Sequence, residues 1–155
     1  MEETQKGRYK FVKVRECPKE IKEFIASKFQ GRVLNLCCGT WPCGHINVDI
    51  KTSGSALNGN KIIQADIFKD KLELGEKFDT VFSDPPWNWP YNIRADFHNI
   101  VAHHLKQGGV FILNAPWLPR SLFFDLKEVY AIYRFSGLPA NASLISIAEY
   151  TGRDL

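Results

Sequence analysis

Apolar residues at Ile21, Phe24, Ile25 and Phe29, with charged residues between them, recur at the three-to-four-residue spacing of a helix. Pro18 stands in the first turn and Gly31 just past the end, so the spacing predicts a helix over 18–29. Beyond Gly31 the pattern changes to short, nearly continuous apolar runs. Residues 32–36, 46–50, 61–65, 78–83 and 109–114 read as buried strands. A second helix is expected over 94–106, ended by Gln107, Gly108 and Gly109, and a third over 121–127 with Ser121 as its cap. His103 and His104 near the end of the second helix would place a favourable charge at its C-terminus. Residues 128–135 and 142–151 read as two strands joined through 136–141, a hairpin.

Strands alternating with helices, then a terminal hairpin, argue an α/β fold: a Rossmann-like, mostly parallel sheet with an antiparallel C-terminal hairpin. With 155 residues and 45% hydrophobic content the chain can bury one core. A single domain over 1–155 is expected, with 1–30 forming a basic N-terminal arm and a helix packed on it. The net charge of +3 is too mild to announce a nucleic-acid binder, but it is uneven. Residues 1–32 carry nine basic and five acidic side chains, and the remainder is close to balanced. Between Lys6 and Arg15 basic residues interleave with Tyr9, Phe11, Val12 and Val14, which suits a strand lying along phosphates and equally an edge strand guarded by lysines.

No apolar run is long enough to span a membrane, and the first residues lack the apolar stretch of a signal peptide, so a soluble cytoplasmic protein is expected. Of Cys17, Cys37, Cys38 and Cys43, three crowd one loop region, unlike a secreted disulfide framework, and reduced thiols are expected. Adjacent cysteines without a Cys-x-x-Cys pair fit a tetrahedral zinc site poorly even with His45 nearby, so no metal is expected.

The densest chemistry lies after the fourth strand, in Asp84, Pro85, Pro86 and Trp87. Consecutive prolines remove two N–H donors and fix two φ angles, leaving Asp84 and the Pro85 carbonyl as rigidly held acceptors at a strand's C-terminal end, where open α/β sheets bind ligands. Two acceptors suit the two hydrogens of an aromatic amine, and Trp87 offers a face for a base. A proline-rich turn with a packed aromatic accounts for the same residues. Trp89, Tyr91 and Trp117 add aromatics to loops beside this crevice, either as packing or as a base-binding lip. Small residues follow the first strand, where a backbone can approach a ligand closely. Asp49, Asp66 and Asp84 each follow a strand, so three carboxylates converge on one edge of the sheet.

In this order the motifs resemble those of the class I S-adenosylmethionine-dependent methyltransferases, over residues 30–150. Leu34, Asn35, Leu36, Cys37, Cys38, Gly39 and Thr40 resemble the glycine-rich first motif, with Asn35 and Cys37 where Asp and Gly are commoner. Val48-Asp49 is similar to the ribose-binding acid, and Gln64, Ala65, Asp66 and Ile67 to the adenine-contacting segment. The resemblance implies S-adenosyl-L-methionine as cofactor, held by Asn35, Cys37, Cys38, Gly39, Thr40, Asp49, Asp66, Ile67 and Asp84. Asp49 follows Gly39 by ten positions, too few for a crossover helix, so a loop or single turn is expected.

The Asp-Pro-Pro-Trp sequence resembles that of amino-methyltransferases acting on adenine N6 in DNA or RNA. That implies Asp84, Pro85, Pro86 and Trp87 as the catalytic segment, substrate contacts from Trp87, Trp89, Tyr91 and Trp117, and direct methyl transfer without a nucleophilic cysteine. With no inserted recognition domain in view, the basic arm, short loops or a protein partner would supply target recognition. Two other readings share these residues: a methyltransferase of another amine, such as guanine N2, a protein amide or a small molecule, and a non-catalytic subunit that binds nucleic acid or a catalytic partner.

Overall fold

The computed structural model describes residues 2–6, 9–14, 19–51, 59–134 and 143–153. Its elements are β1 (Glu2–Lys6), β2 (Tyr9–Val14), α1 (Lys19–Ser27), β3 (Val33–Leu36), β4 (Ile46–Asp49), β5 (Lys61–Gln64), β6 (Phe78–Ser83), α2 (Tyr91–His104), β7 (Leu105–Ala115), β8 (Phe124–Arg134) and β9 (Ser143–Tyr150). Among the described residues nine strands form one sheet in the order β1-β2-β8-β9-β7-β6-β3-β4-β5. The block from β5 to β7 is parallel, β9 runs antiparallel to both β7 and β8, and the expected α/β class holds.

Side-chain alternation assigns the two faces. On β6, Val81 points into one apolar layer and Phe82 into the other; on β7, Phe111 and Leu113 oppose Ile112 in the same way. Phe97, Val101 and Ala102 of α2 cover the first layer. Phe24 and Ile25 of α1 cover the second, against Phe82, Ile112, Tyr130, Ile132 and Ile145. Burial on both faces explains why the central strands carry near-continuous apolar runs instead of alternating ones.

Two helical expectations change. Residues 121–127 form no helix: 121–123 make a turn in which the amides of Phe123 and Phe124 both reach the Arg120 carbonyl at 3.2 Å, and β8 starts at Phe124. An irregularity between Leu126 and Glu128 shifts the pairing with β9 by one residue. Phe124 therefore faces one layer while Tyr130 and Ile132 face the other, and the broken alternation mimics helical spacing. The helix expected over 94–106 occupies Tyr91–His104 instead, because Pro90 is extended before it (φ −69°, ψ 164°) and the fully buried Leu105 opens β7. Gly108, at φ 78°, lies within that strand beside its irregular pairing with β6.

At the N-terminus, β2 is paired on both sides, by β1 and β8, so the edge strand is β1. The first helix opens at Lys19, and its expected opener Pro18 lies outside the described residues, as does the 136–141 turn of the hairpin. No helix of the described residues is long and apolar enough to cross a membrane.

Candidate active site

The chain leaves β3 toward β4 on one side and places β6 on the other, so the strand order reverses between β3 and β6. A crevice opens at the C-terminal ends of strands around such a point. Ser83, the last residue of β6, donates its hydroxyl to the Leu36 carbonyl at 2.7 Å and fixes the two strand ends together. Ser83 was not anticipated from the sequence.

Nine residues without a helix connect β3 to β4, as the short spacing predicted. Cys37 begins the connection at φ 59°, the left-handed region that costs any side-chain-bearing residue. Its thiol lies near Asp49, Ser83 and Asp84, and burial followed by the Asp49 charge pushes it up to about 12. Burial likewise pushes Cys38 to about 11 and Cys43 to about 12, so all three stay as thiols. Gly39 is exposed at φ 53°, and a Cβ placed on it would meet nothing within 4 Å, so open space lies above the loop. Thr40 beside it is exposed as well.

Asp49 closes the floor of this loop. Its Oδ2 accepts from the Gly39 amide at 2.9 Å and its Oδ1 from the Lys51 amide at 3.0 Å. Two backbone donors fix the carboxylate's orientation while leaving lone pairs for hydroxyl donors. Asn35 lies elsewhere. It is 1% exposed, on the α1 side of β3, and its amide donates to the Trp41 carbonyl (2.8 Å), Cys43 Sγ (3.3 Å) and Asn47 Oδ1 (3.3 Å). Asn47 also takes the Gly44 amide and donates to the carbonyls of Gly44 and Lys61. The pair supports the connection from beneath. Asn47 was missed, although a polar residue at a fully buried strand position was its signal.

Asp84 follows β6 directly. Trp87 Nε1 donates both to Asp84 Oδ1 at 3.0 Å and to the Asn114 carbonyl of β7 at 3.1 Å, pinning the indole across two strand ends. Pro85 is buried and Pro86 exposed. Among the described residues, neither Asp84 Oδ2 nor the Pro85 carbonyl takes a hydrogen bond, so both acceptors are unused. The Asp84 side chain reaches solvent at the rim, yet desolvation by the surrounding protein raises its carboxyl above the ordinary range, with the Trp87 hydrogen bond opposing.

The other expected site residues divide. Asp66 shapes a turn after β5, its Oδ1 accepting the amides of Phe68 (2.9 Å) and Lys69 (3.3 Å), and Ile67 packs on the core. Half-buried Trp89 stands edge-on between Phe68 and Phe97, with centroids at 5.3 and 5.2 Å. Tyr91 is 77% exposed at the start of α2. Trp117 is 8% exposed and packed against Phe97 and His98, so it belongs to the wall behind the crevice and not to an open lip. His104 is buried and driven down to about 4 by desolvation and its neighbours His103 and Lys77, so it brings no charge to the helix end. Cys43 and His45 are engaged with Asn35 and the Val33 amide, and no group of three His, Cys, Asp or Glu among the described residues is placed to hold a metal.

No family model and no curated protein matches the sequence. Solved structures do match the fold. A TehB-like S-adenosylmethionine-dependent methyltransferase from Corynebacterium glutamicum superimposes with a TM-score of 0.59 at 12% identity, over 87% of this chain and 89% of that one. The glycopeptide N-methyltransferase MtfA, solved with S-adenosyl-L-homocysteine, gives 0.60 at 14% identity over 84% and 88%. This chain has the fold of S-adenosylmethionine-dependent methyltransferases. TrmN from Thermus thermophilus gives 0.58 at 14% identity over 85% of this chain and 47% of its own, so this methyltransferase fold spans about half of that protein. The order of motifs found in the sequence thus runs along a sheet of the matching kind, with β3, β4 and β6 presenting Cys37 to Thr40, Asp49 and Asp84 at one edge.

Proposed function

We propose that this chain is an S-adenosylmethionine-dependent N-methyltransferase acting on adenine N6 in DNA or RNA. The unused acceptor pair at the end of β6, Asp84 Oδ2 and the Pro85 carbonyl, carries the reading. The fold likeness supports the cofactor, since neighbours are methyltransferases of this dependence and one was solved with S-adenosyl-L-homocysteine. The residues present suit it. Asp49 is oriented for a ribose diol and the exposed Gly39 leaves room for close approach; Asp66 and Ile67, in the turn after β5, would meet the cofactor's adenine. When bound, the cofactor supplies a methyl group on positively charged sulfur.

The chain's own residues do the rest. Asp84 and Pro85 hold both hydrogens of the acceptor amine, turning its lone pair out of the ring's conjugation and toward the cofactor loop. A carboxyl with raised proton affinity is also suited to take the proton that the amine loses. Trp87, fixed by its two hydrogen bonds, presents a rigid edge for the base, and exposed Tyr91 a second aromatic surface. Target recognition falls to the N-terminal arm, the short loops or a protein partner.

The test is methyl transfer to adenine-containing single strands of DNA and RNA, read by mass spectrometry of the digested nucleosides. Wild-type protein is expected to yield N6-methyladenine, and Asp84→Asn to yield none while keeping most of its S-adenosylhomocysteine binding. Full activity in Asp84→Asn would remove the catalytic assignment. The name of one neighbour favours a further reading, another amine as acceptor, because it is a glycopeptide N-methyltransferase. Transfer to peptide amines with none to adenine would select it.

A further inference from the structure

Among the described residues five large apolar side chains are exposed, and four of them stand at one edge of the sheet. Ile50 follows β4, Phe68 lies in the turn after β5, Tyr91 opens α2 after β6, and Leu118 is in the loop after β7. Because β4, β5, β6 and β7 all run the same way, this is the C-terminal edge, the one that presents Asp84. Exposed apolar residues scattered singly need no explanation, but a set confined to one edge marks a surface that meets something.

Phe68 and Tyr91 are its aromatic members. Asp66 Oδ1 accepts the Phe68 amide at 2.9 Å, and the Phe68 ring, 40% exposed, stands edge-on to Trp89 at 5.3 Å. That contact joins the turn after β5 to the loop that carries Asp84 and Trp87. Tyr91, two residues beyond Trp89, is 77% exposed and meets no other aromatic ring among the described residues.

Charge follows the same pattern. Lys51 and Lys69 directly follow Ile50 and Phe68; both are exposed, and neither forms an ion pair among the described residues. The carboxylates nearest them in the chain, Asp49, Asp66 and Asp70, accept backbone amides, so the two ammonium groups are left to an outside partner. Open aromatic rings beside uncommitted cations suit a single strand of nucleic acid, whose unpaired bases stack on rings while its phosphates meet the charges. A partner held by apolar contact alone would leave both lysines unanswered.

We infer that unpaired nucleotides flanking the target adenine lie across this rim, their bases stacking on Phe68 and Tyr91 and their phosphates meeting Lys51 and Lys69. This deepens the proposed function and rests on it. A base inside a duplex is already stacked on its neighbours and cannot lie on these rings, so the acceptor is a single strand.

The experiment measures fluorescence anisotropy of a labelled adenine-containing oligonucleotide, single-stranded and as its duplex, over a range of salt. Wild type is expected to prefer the single strand by about tenfold or more. Tyr91→Ala and Phe68→Ala should each weaken single-strand binding about tenfold, and Tyr91→Phe should retain it. Lys69→Gln should lower the salt slope by about 0.7. S-adenosylhomocysteine affinity should hold in these variants, and its loss in Phe68→Ala would overturn that ring's place in the rim. Duplex bound as tightly as single strand overturns the inference, and so does wild-type binding in both Ala variants. Failure to bind either oligonucleotide overturns it too and leaves the rim to a protein partner. Methyl transfer on the same samples separates the outcomes. Methylated adenine formed equally by wild type and both Ala variants strikes the rim alone, whereas none from wild type, with the strand still held by the aromatics, strikes the adenine reading.

Discussion

Cys37 holds a backbone conformation that suits glycine, at the point where the chain turns out of β3 into the crevice. A left-handed side-chain-bearing residue costs about 1–2 kcal/mol, and a glycine restored there gives back about 0.5–1 kcal/mol through the freedom of the unfolded chain. Cys37→Gly is therefore expected to leave stability unchanged or raise it by up to about 1 kcal/mol, while Cys37→Val, branched at Cβ, lowers it by about 2 kcal/mol or more. Urea unfolding of the two variants measures the difference, and a Gly variant less stable than wild type would mean that thiol packing against Ser83 outweighs the strain. Asp49 is the other residue on which the loop depends. Asp49→Ala strips the Gly39 and Lys51 amides of their acceptor as well as removing the expected ribose contact. S-adenosylhomocysteine affinity should fall at least about tenfold by calorimetry, and an unchanged affinity removes the ribose role.

The connection between β3 and β4 is the unusual element, a parallel crossover of nine residues where a helix would ordinarily intervene. Its rigidity comes from Asn47, whose single amide serves Gly44 through both N–H and C=O and also reaches the Lys61 carbonyl. Gly44 is needed there, since a Cβ would stand 2.9 Å from the Ile46 carbonyl oxygen and 3.0 Å from Asn35 Cβ. Asn47→Ala leaves buried backbone groups unpaired and is expected to cost about 2–4 kcal/mol, checked by urea unfolding, with cofactor affinity falling in parallel. A loss below about 1 kcal/mol would mean that water replaces the amide without penalty. The strands themselves were legible because burial on both faces leaves unbroken apolar runs, and the register of Asp49 and Asp84 followed from strand ends. The connection's length was legible too, but not its support, because Asn35 and Asn47 meet only once their strands pair. For the same reason neither the second anchor of Trp87 on Asn114 nor the unpartnered nitrogens around Trp117 could be read before the fold was in hand. The third helix failed because a one-residue shift in β8 is invisible until β9 lies beside it.

Acid should act on the molecule as a whole through α2, which packs two histidines against the sheet. Burial, then the charge of Arg120 and that of Arg94, drives His98 down to about 4, with the Arg94 backbone hydrogen bond opposing. His104 is held at about 4 by burial, His103 and Lys77. In the unfolded chain each returns to about 6.5. Between those values the unfolded chain binds more protons than the native one, so stability falls as pH drops through this window, by up to about 1.4 kcal/mol per unit for each histidine. Below about pH 4 the native histidines take their protons too, and this loss levels off. Glu76 and Asp79, lowered by their basic partners, lose their contributions only below the ordinary carboxylate range, so the histidines dominate above it. Asp84 works in the opposite sense, because a raised carboxyl binds its proton earlier in the native state and slightly offsets the fall. Urea unfolding at pH 7, 6 and 5 should show the decline, and His104→Leu should remove close to half of its slope. A wild-type stability that is flat from pH 6.5 to 5 would mean that α2 opens to hydrate both rings before the molecule unfolds, and with it the loop that carries Asp84.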